Sequence, residues 1–210
     1  MSATTYMPAH FEERDLATLQ ALVDAHPLAA WATLQDDGEL VAHHVPFLLD
    51  RTRGPFGTLV GHVARANPVW QKPRKSLLVF QGAESYISPG WYPSKQQHGK
   101  VVPTWNYAVV HARGTPVVLQ QPEQVLAIVS GLTRTHEAAQ NKPWQVADAP
   151  PDYIAKLLEA IVGIEIPIEQ LSGKWKVSQN RARADRDGVA AGLAPRDPTM
   201  AALVAHHGGS

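Results

Sequence analysis

Short apolar runs separated by turn residues constrain the fold of this 210-residue chain more than any other feature. Leu28–Leu34 and residues 40–49 are strand-like, and Asp36-Asp37-Gly38 between them is a hairpin signal. Similar runs lie at residues 57–63, 76–80, 83–87, 105–111, 115–119, 164–171 and 174–178. Many short strands joined by turns predict an antiparallel barrel or sandwich.

Turn residues specify how these strands are connected. Residues 51–55 contain Gly54 and Pro55 and form a second turn after the one at residues 36–38. Two later hairpins are predicted, one around Arg113-Gly114 and one around Ser172-Gly173. Consecutive hairpins imply antiparallel pairing throughout.

Apolar residues at helical spacing predict three helices packed outside the strands, at residues 12–26, 123–137 and 151–162. Pro27 ends the first helix, Pro122 opens the second at a position that helices tolerate, and Gly163 is placed to end the third. The mixed-charge segment after Asn180 predicts a short surface helix whose arginines form ion pairs.

Charge and composition limit the classes of protein that this chain can belong to. Lys plus Arg and Asp plus Glu both number 19, so no global field attracts nucleic acid or an anionic membrane. The chain has no cysteine, which excludes disulfides and thiolate chemistry. Because it lacks a secretory pattern and a long apolar run, we expect a cytoplasmic protein with no membrane partner. We predict one domain over residues 1–195 and a flexible C-terminal tail over residues 196–210.

The densest group of polar side chains is Pro103-Thr104-Trp105-Asn106-Tyr107, which we call the amide segment. Indole and phenol groups bury a large area but need partners for their N–H and O–H groups. Such a segment suits a polar ligand or a wet interface between subunits. An amphipathic edge strand is the structural alternative.

A second polar group, residues 174–181, is called the cationic segment (Lys-Trp-Lys-Val-Ser-Gln-Asn-Arg). Strand alternation sends Lys174, Lys176 and Ser178 to one side, while Gln179 to Arg181 follow in a turn. One face is therefore cationic and hydrogen-bonding. Lys176 is also explained by the protection of an edge strand, whereas the polar run after it is not.

Two further motifs are Gly61-His-Val-Ala-Arg65-Ala-Asn67-Pro68 and the aromatic loop at residues 86–93. Arg65 and Asn67, at a strand end, can hold a phosphate, and the alternative is that Arg65 caps a helix. The aromatic loop offers ring faces for stacking, and it can equally cover a barrel mouth or a dimer seam. The histidine pattern predicts no metal site, because neighbouring histidines on a strand point to opposite faces.

These motifs, in this order, resemble the PaiB-type FMN-binding negative transcriptional regulators over residues 6–193. The resemblance implies the FMN-binding split-barrel fold: a mainly β, six-stranded antiparallel barrel with peripheral helices, forming a homodimer with FMN between subunits. The cofactor-binding residues that it implies are Arg65, Asn67, Thr104, Trp105, Asn106, Lys174, Ser178, Gln179, Asn180 and Arg181.

The resemblance leaves the activity open among three classes. A flavin-binding regulator is the first, and an FMN-dependent oxidoreductase resembling flavin or pyridoxamine-phosphate oxidases is the second. A haem-handling protein is the third, with His43, His44 or His62 as the axial ligand. DNA binding is possible but not evident from the charge, because the basic clusters, such as Lys72, Arg74 and Lys75, are short.

Overall fold

The computed structural model describes residues 6–207, and in them nine strands and six α-helices. The strands are β1 (Glu12–Glu13), β2 (Leu28–Leu34), β3 (Leu40–Asp50), β4 (Thr58–Ala64), β5 (Ser76–Ile87), β6 (Thr104–Gly114), β7 (Val117–Leu119), β8 (Ile161–Pro167) and β9 (Gln170–Lys176). The helices are α1 (Leu16–Ala25), α2 (Ser94–His98), α3 (Pro122–Glu137), α4 (Pro151–Glu159), α5 (Arg183–Leu193) and α6 (Pro198–His206).

The chain divides into two compact units. The first contains residues 6–19, 81–110 and 172–207, and the second contains residues 20–80 and 111–171. The amide and cationic segments both belong to the first unit, whereas Arg65 and Asn67 belong to the second.

In the first unit the neighbouring strands follow the order β1, β9, β6, β5, and β1 pairs antiparallel with β9. The backbone of Gly173 in β9 approaches α1 closely, since an added Cβ would lie 2.1 Å from Leu19 Cδ2. Along β9, Trp175 is buried while Lys174 and Lys176 are half-buried on the other face. The predicted alternation is therefore confirmed for residues 174–176, whereas Ser178 lies beyond the end of β9, where its φ of 69° departs from a strand.

The aromatic loop of the first unit packs against α5. Gly188 and Gly192 present a surface without side chains to Trp91, because an added Cβ at Gly192 would lie 2.5 Å from the indole. The buried carboxylate of Asp185 accepts hydrogen bonds from the backbone N–H and the hydroxyl of Ser94, at 3.0 and 2.7 Å. The helix predicted after Asn180 therefore exists, and one of its faces is buried.

In the second unit the strands follow the order β5, β2, β3, β4, β8, β7. Each strand in this order pairs antiparallel with the next one. The β2–β3 hairpin turns at Asp36-Asp37-Gly38 as predicted, with Gly38 at φ 88°. Glycine adopts this left-handed conformation without a steric penalty. Helix α3 buries Val125, Ile128 and Leu132, which share one helical face.

Several predicted boundaries are wrong. Residues 76–80 and 83–87 form one strand, β5, and Glu12–Glu13 form a short strand that was not predicted. The described residues contain nine strands instead of the six of the expected barrel. The turns predicted at Arg113-Gly114 and Ser172-Gly173 lie inside β6 and β9, and β7 pairs with β8 instead of β6. Glycine occurs at positions 114 and 173 because other atoms pack closely against the strand backbone there. A Cβ at Gly114, for example, would lie 2.3 Å from the backbone oxygen of Pro167.

The helices also differ from the prediction at their ends. Helix α1 begins at Leu16, because Glu12–Glu13 pair with β9 instead. Helix α4 ends at Glu159, and Gly163 lies within β8, where its missing side chain makes room for Ile128. The tail predicted over residues 196–210 differs from the structure at Pro198–His206, which form α6 and bury Met200 and Val204. No helix within residues 6–207 is long and apolar enough to span a membrane.

Acid should destabilise the fold partly through His62. Burial lowers the pKa of His62, and its Nδ1 atom has no hydrogen-bond partner among residues 6–207. The unfolded chain therefore binds more protons below its ordinary pKa of about 6.5, and the free energy of unfolding decreases as the pH falls through that value. We expect His62→Gln to flatten this decrease, by up to about 1.4 kcal/mol per pH unit, in urea unfolding between pH 5 and 7. An unchanged slope would contradict the prediction.

Candidate functional site

A buried amide–hydroxyl pair joins the amide and cationic segments. Asn106 in β6 and Ser178 just after β9 are 1% and 4% exposed, and Asn106 Nδ2 donates to Ser178 Oγ at 2.9 Å. A buried hydrogen bond between side chains 72 residues apart fixes the relative position of the two segments. The two densest polar runs of the sequence are therefore adjacent in the structure.

Ser178 is strained. Its φ of 69° is in the left-handed region, and it is the one residue other than glycine within residues 6–207 with a positive φ. This conformation is uncommon for a residue with a side chain and costs of order 1 kcal/mol. Strain that persists in a native structure concentrates at functional sites, so it supports a functional role for this turn.

Lys176 bridges the same two segments. Its ammonium group donates to Thr104 Oγ1 at 2.6 Å and to the backbone oxygen of Trp105 at 2.7 Å. Burial lowers the pKa of Lys176, and the charges of Lys174 and Arg181 lower it further. Lys176 is not one of the site residues that the family resemblance implies. Its signal was the period-two alternation that places it on the same face of β9 as Lys174.

Lys174 and Arg181 are the other cations of the site, and each lies over an aromatic ring. Lys174 Nζ lies 5.3 Å from the ring centroid of Tyr6 and 5.7 Å from that of Tyr107. The guanidinium carbon of Arg181 lies 4.9 Å from the ring centroid of Tyr92. Tyr92 is buried, and burial raises its pKa in spite of the opposing charge of Arg181. These ring faces position the cations without neutralising them.

The cations of this group have no ion-pair partner among the described carboxylates. Lys174, Lys176 and Arg181 take part in none of the ion pairs found within residues 6–207. The ion pairs of the described residues instead involve exposed cations, such as Arg51, which pairs with Asp24. Three cations without ion-pair partners can bind an anionic group, and a buried amide nearby can bind the amide-like edge of a ligand.

The remaining residues of the cationic and amide segments have different surroundings. Gln179 is used internally, because its amide accepts from the backbone N–H of Val177 at 2.8 Å and donates to the backbone oxygen of Trp175 at 2.5 Å. This clamp shapes the turn that holds Ser178. Asn180 is exposed. Trp105 is 54% exposed, and its ring meets that of Tyr86 edge to face at 6.1 Å.

Arg65 contacts the protein itself. Its Nε atom donates to the backbone oxygen of Glu159 at 2.7 Å, and its Nη2 atom donates to that of Ile161 at 3.1 Å. Nη1 donates to Gln120 Oε1 at 3.3 Å. The carbonyl of Glu159 belongs to the last turn of α4, so these contacts match the helix-capping alternative. Phosphate binding by Arg65 stays a prediction.

Asn67 also supports local structure. Its Oδ1 atom accepts from the backbone N–H of Val69 at 3.0 Å, which caps a short 3-10 helix, Pro68–Trp70. Its Nδ2 atom lies 3.2 Å from Nδ1 of His43, one of the histidines considered as haem ligands. Burial and the neighbouring His44 lower the pKa of His43. A flavin contact of Asn67 stays a prediction.

Comparison with known proteins identifies the family of this chain. The family model described as "Putative FMN-binding domain" matches residues 5–170, and the chain therefore belongs to this FMN-binding family. FMN, the cofactor expected from the sequence, is the one that the family description gives. The cationic segment lies beyond the matched residues.

Individual relatives agree with this family. An uncharacterized protein of Aspergillus fumigatus is 32% identical over 90% of this chain and 90% of its own length. The Bacillus subtilis protein named protease synthase and sporulation protein PAI 2 is 28% identical over 86% of this chain and 84% of its own. The resemblance to the PaiB-type FMN-binding family is confirmed.

A solved structure shows the same fold. The FAD and heme binding protein from Mycobacterium smegmatis matches with a TM-score of 0.55 and 17% identity, over 79% of this chain and 73% of that chain. The predicted class, a mainly antiparallel FMN-binding split barrel with peripheral helices, is confirmed, with nine strands in residues 6–207 instead of six.

Proposed function

We propose that this protein binds FMN between the amide and cationic segments and acts as a negative transcriptional regulator. The observation that carries the flavin site is a group of three cations without ion pairs, one of which, Lys176, donates to Thr104 and Trp105 next to the buried Asn106–Ser178 pair. An FMN phosphate carries nearly two negative charges, and the isoalloxazine ring has amide-like edges. Cationic and amide side chains on adjacent segments complement these two kinds of group.

Each part of the site has a distinct task in this proposal. Lys174, Lys176 and Arg181 bind negative charge, and the Asn106–Ser178 pair holds the two segments in register. The exposed Trp105 indole offers an aromatic face for stacking. Bound FMN supplies redox chemistry, which gives a regulator a means of sensing the redox state. The other predicted contacts, from Arg65, Asn67, Gln179 and Asn180, belong to this proposal as predictions.

The regulatory role is supported by the family resemblance, and the charges restrict how it operates. The basic cluster of Lys72, Arg74 and Lys75 is occupied, because the first two pair with Asp36 and the third pairs with Glu169. Exposed pairs of this kind leave little net charge for DNA phosphates. DNA contact, if direct, therefore requires a homodimer that doubles the basic residues elsewhere. The cytoplasmic location also stays a prediction.

The experiment that tests this function is a titration of the purified protein with FMN, followed by addition of NADPH. We expect saturable binding of one FMN per chain, little bleaching by NADPH, and a dimeric mass in light scattering. Rapid bleaching would favour the oxidoreductase, and a Soret band on addition of haem would favour the haem-handling class. Absence of saturable flavin binding at micromolar protein would reject the proposed site.

The regulatory part needs its own measurement. We expect the protein to retard specific promoter fragments of its own genome, with different affinities in the FMN-bound and flavin-free states. The comparison should be made at several salt concentrations, since contacts to phosphates weaken steeply with salt. Equal and weak binding to these fragments and to unrelated DNA in both states would contradict direct regulation through the operator.

A further inference from the structure

Lys176 is held in an unusual environment for a lysine. Two of its three ammonium N–H groups donate to Thr104 Oγ1 and to the backbone oxygen of Trp105, both within 2.7 Å. The third has no acceptor among residues 6–207. The side chain is half-buried, next to the buried Asn106–Ser178 pair. An edge-protecting lysine would extend its ammonium group into water.

The electrostatics of this position are unfavourable without a bound anion. Burial and the charges of Lys174 and Arg181 all disfavour the charged form, and they lower the pKa of Lys176. No carboxylate within residues 6–207 forms an ion pair with any of the three cations. A partly buried charge that lacks an opposite charge destabilises the protein, and a bound anion removes this cost.

We propose that, of the three cations, Lys176 makes the direct contact with the anion: its remaining N–H group donates to a negatively charged atom of the bound flavin. This inference rests on the proposed function, because it concerns the same site. Two parts of FMN supply a negative charge. One is the phosphate group, and the other is the pyrimidine side of the ring, which becomes negative on reduction.

Two measurements distinguish these sources. If Lys176 binds the phosphate, Lys176→Met should weaken FMN binding by about tenfold or more and leave riboflavin binding nearly unchanged, since a hydrogen bond to a charged group is lost only with FMN. If it binds the ring, the affinities for the two oxidised flavins should fall together. The flavin midpoint potential should then become more negative, because the stabilisation of the reduced form is lost.

Matched variants separate charge from structure. Lys176→Gln keeps donors for Thr104 and the oxygen of Trp105 without the charge, and it should behave like Lys176→Met. Lys176→Arg keeps the charge and should recover most of the affinity. Lys174→Met removes the same charge two residues away, and its effect should be clearly smaller. Thermal unfolding of the flavin-free variants shows whether each one folds.

The outcomes also separate this inference from the proposed function. If the wild-type protein binds neither flavin, the proposed function is wrong and the inference fails with it. If the wild-type protein binds FMN and a folded Lys176→Gln variant keeps the same affinities and potential, the inference alone is overturned. An equal loss in Lys174→Met would show that only total charge matters. Loss of the preference for FMN over riboflavin in Arg65→Ala, but not in Lys176→Met, would assign the phosphate to Arg65.

Discussion

Replacing Asn106 by alanine should destabilise the protein by about 2–3 kcal/mol, because the Ser178 hydroxyl loses its partner in a buried position. Ser178→Ala should cost a similar amount, since the amide of Asn106 is then left without its acceptor. The double variant should cost less than the sum of the two by about 1 kcal/mol, because once one partner is absent the other no longer loses this bond. Urea unfolding of the four proteins at one pH gives this coupling energy.

The same four proteins test whether the pair belongs to the flavin site. If both side chains lie at one site, their effects on FMN affinity should also be coupled. Strictly additive losses of affinity, or dissociation of a dimer with constant affinity per folded chain, would instead assign the pair to a subunit interface.

Ser178→Gly provides the control for backbone strain. Glycine adopts a φ of 69° without a steric penalty, whereas alanine retains the penalty and also lacks the hydroxyl. Ser178→Gly should therefore be more stable than Ser178→Ala by up to about 1 kcal/mol. Equal stability would show that this turn relaxes in the variants, and the strain argument for a functional turn would fail.

Gly188→Ala should destabilise the protein, although alanine is the better helix former. A Cβ at this position would lie 2.2 Å from the backbone oxygen of Trp91 and 3.1 Å from Pro93 Cδ. A backbone atom cannot move aside as a side chain can, so α5 and the aromatic loop must separate. Overpacking of about 1–3 kcal/mol exceeds the gain of about 1 kcal/mol in helix propensity. Thermal unfolding measures the net loss.

Gly131→Ala is the matched control, because this glycine also lies inside a helix, α3. Its added Cβ would meet only Leu48 Cδ1, at 3.3 Å, and that flexible methyl group can shift. We expect Gly131→Ala to be neutral or stabilising by up to about 1 kcal/mol. If Gly188→Ala proved as stable as Gly131→Ala, the close packing of the aromatic loop on α5 would be contradicted.

Local patterns predicted the elements and the polar segments well. Strand β2 has the predicted bounds, and the turn at Asp36-Asp37-Gly38 is confirmed, because both depend on neighbouring residues only. The sequence predicts a turn at Gly114, a helix end at Gly163 and a turn at Gly173, and all three predictions are wrong because these glycines lie in strands. Each accommodates an atom from a distant part of the chain, so its local sequence resembles a turn while its conformation is extended.

The sequence by itself determined the class of protein, the two polar segments and the alternation that places Lys174 and Lys176 on one face of β9. The polar segments and the alternation follow from periodicity and composition, which operate over a few residues, whereas the class of protein follows from the resemblance of the motifs to a known family. Only the tertiary structure decided which groups surround each cation. Arg65 and Lys176 are both basic residues at strand ends. The guanidinium group of Arg65 donates its hydrogen bonds to backbone carbonyls and to Gln120. The charges of Lys174 and Arg181 act on Lys176, which forms no ion pair with a carboxylate among residues 6–207. Partners distant in sequence set these surroundings, and charge interactions depend on distance and burial, which a linear pattern does not contain.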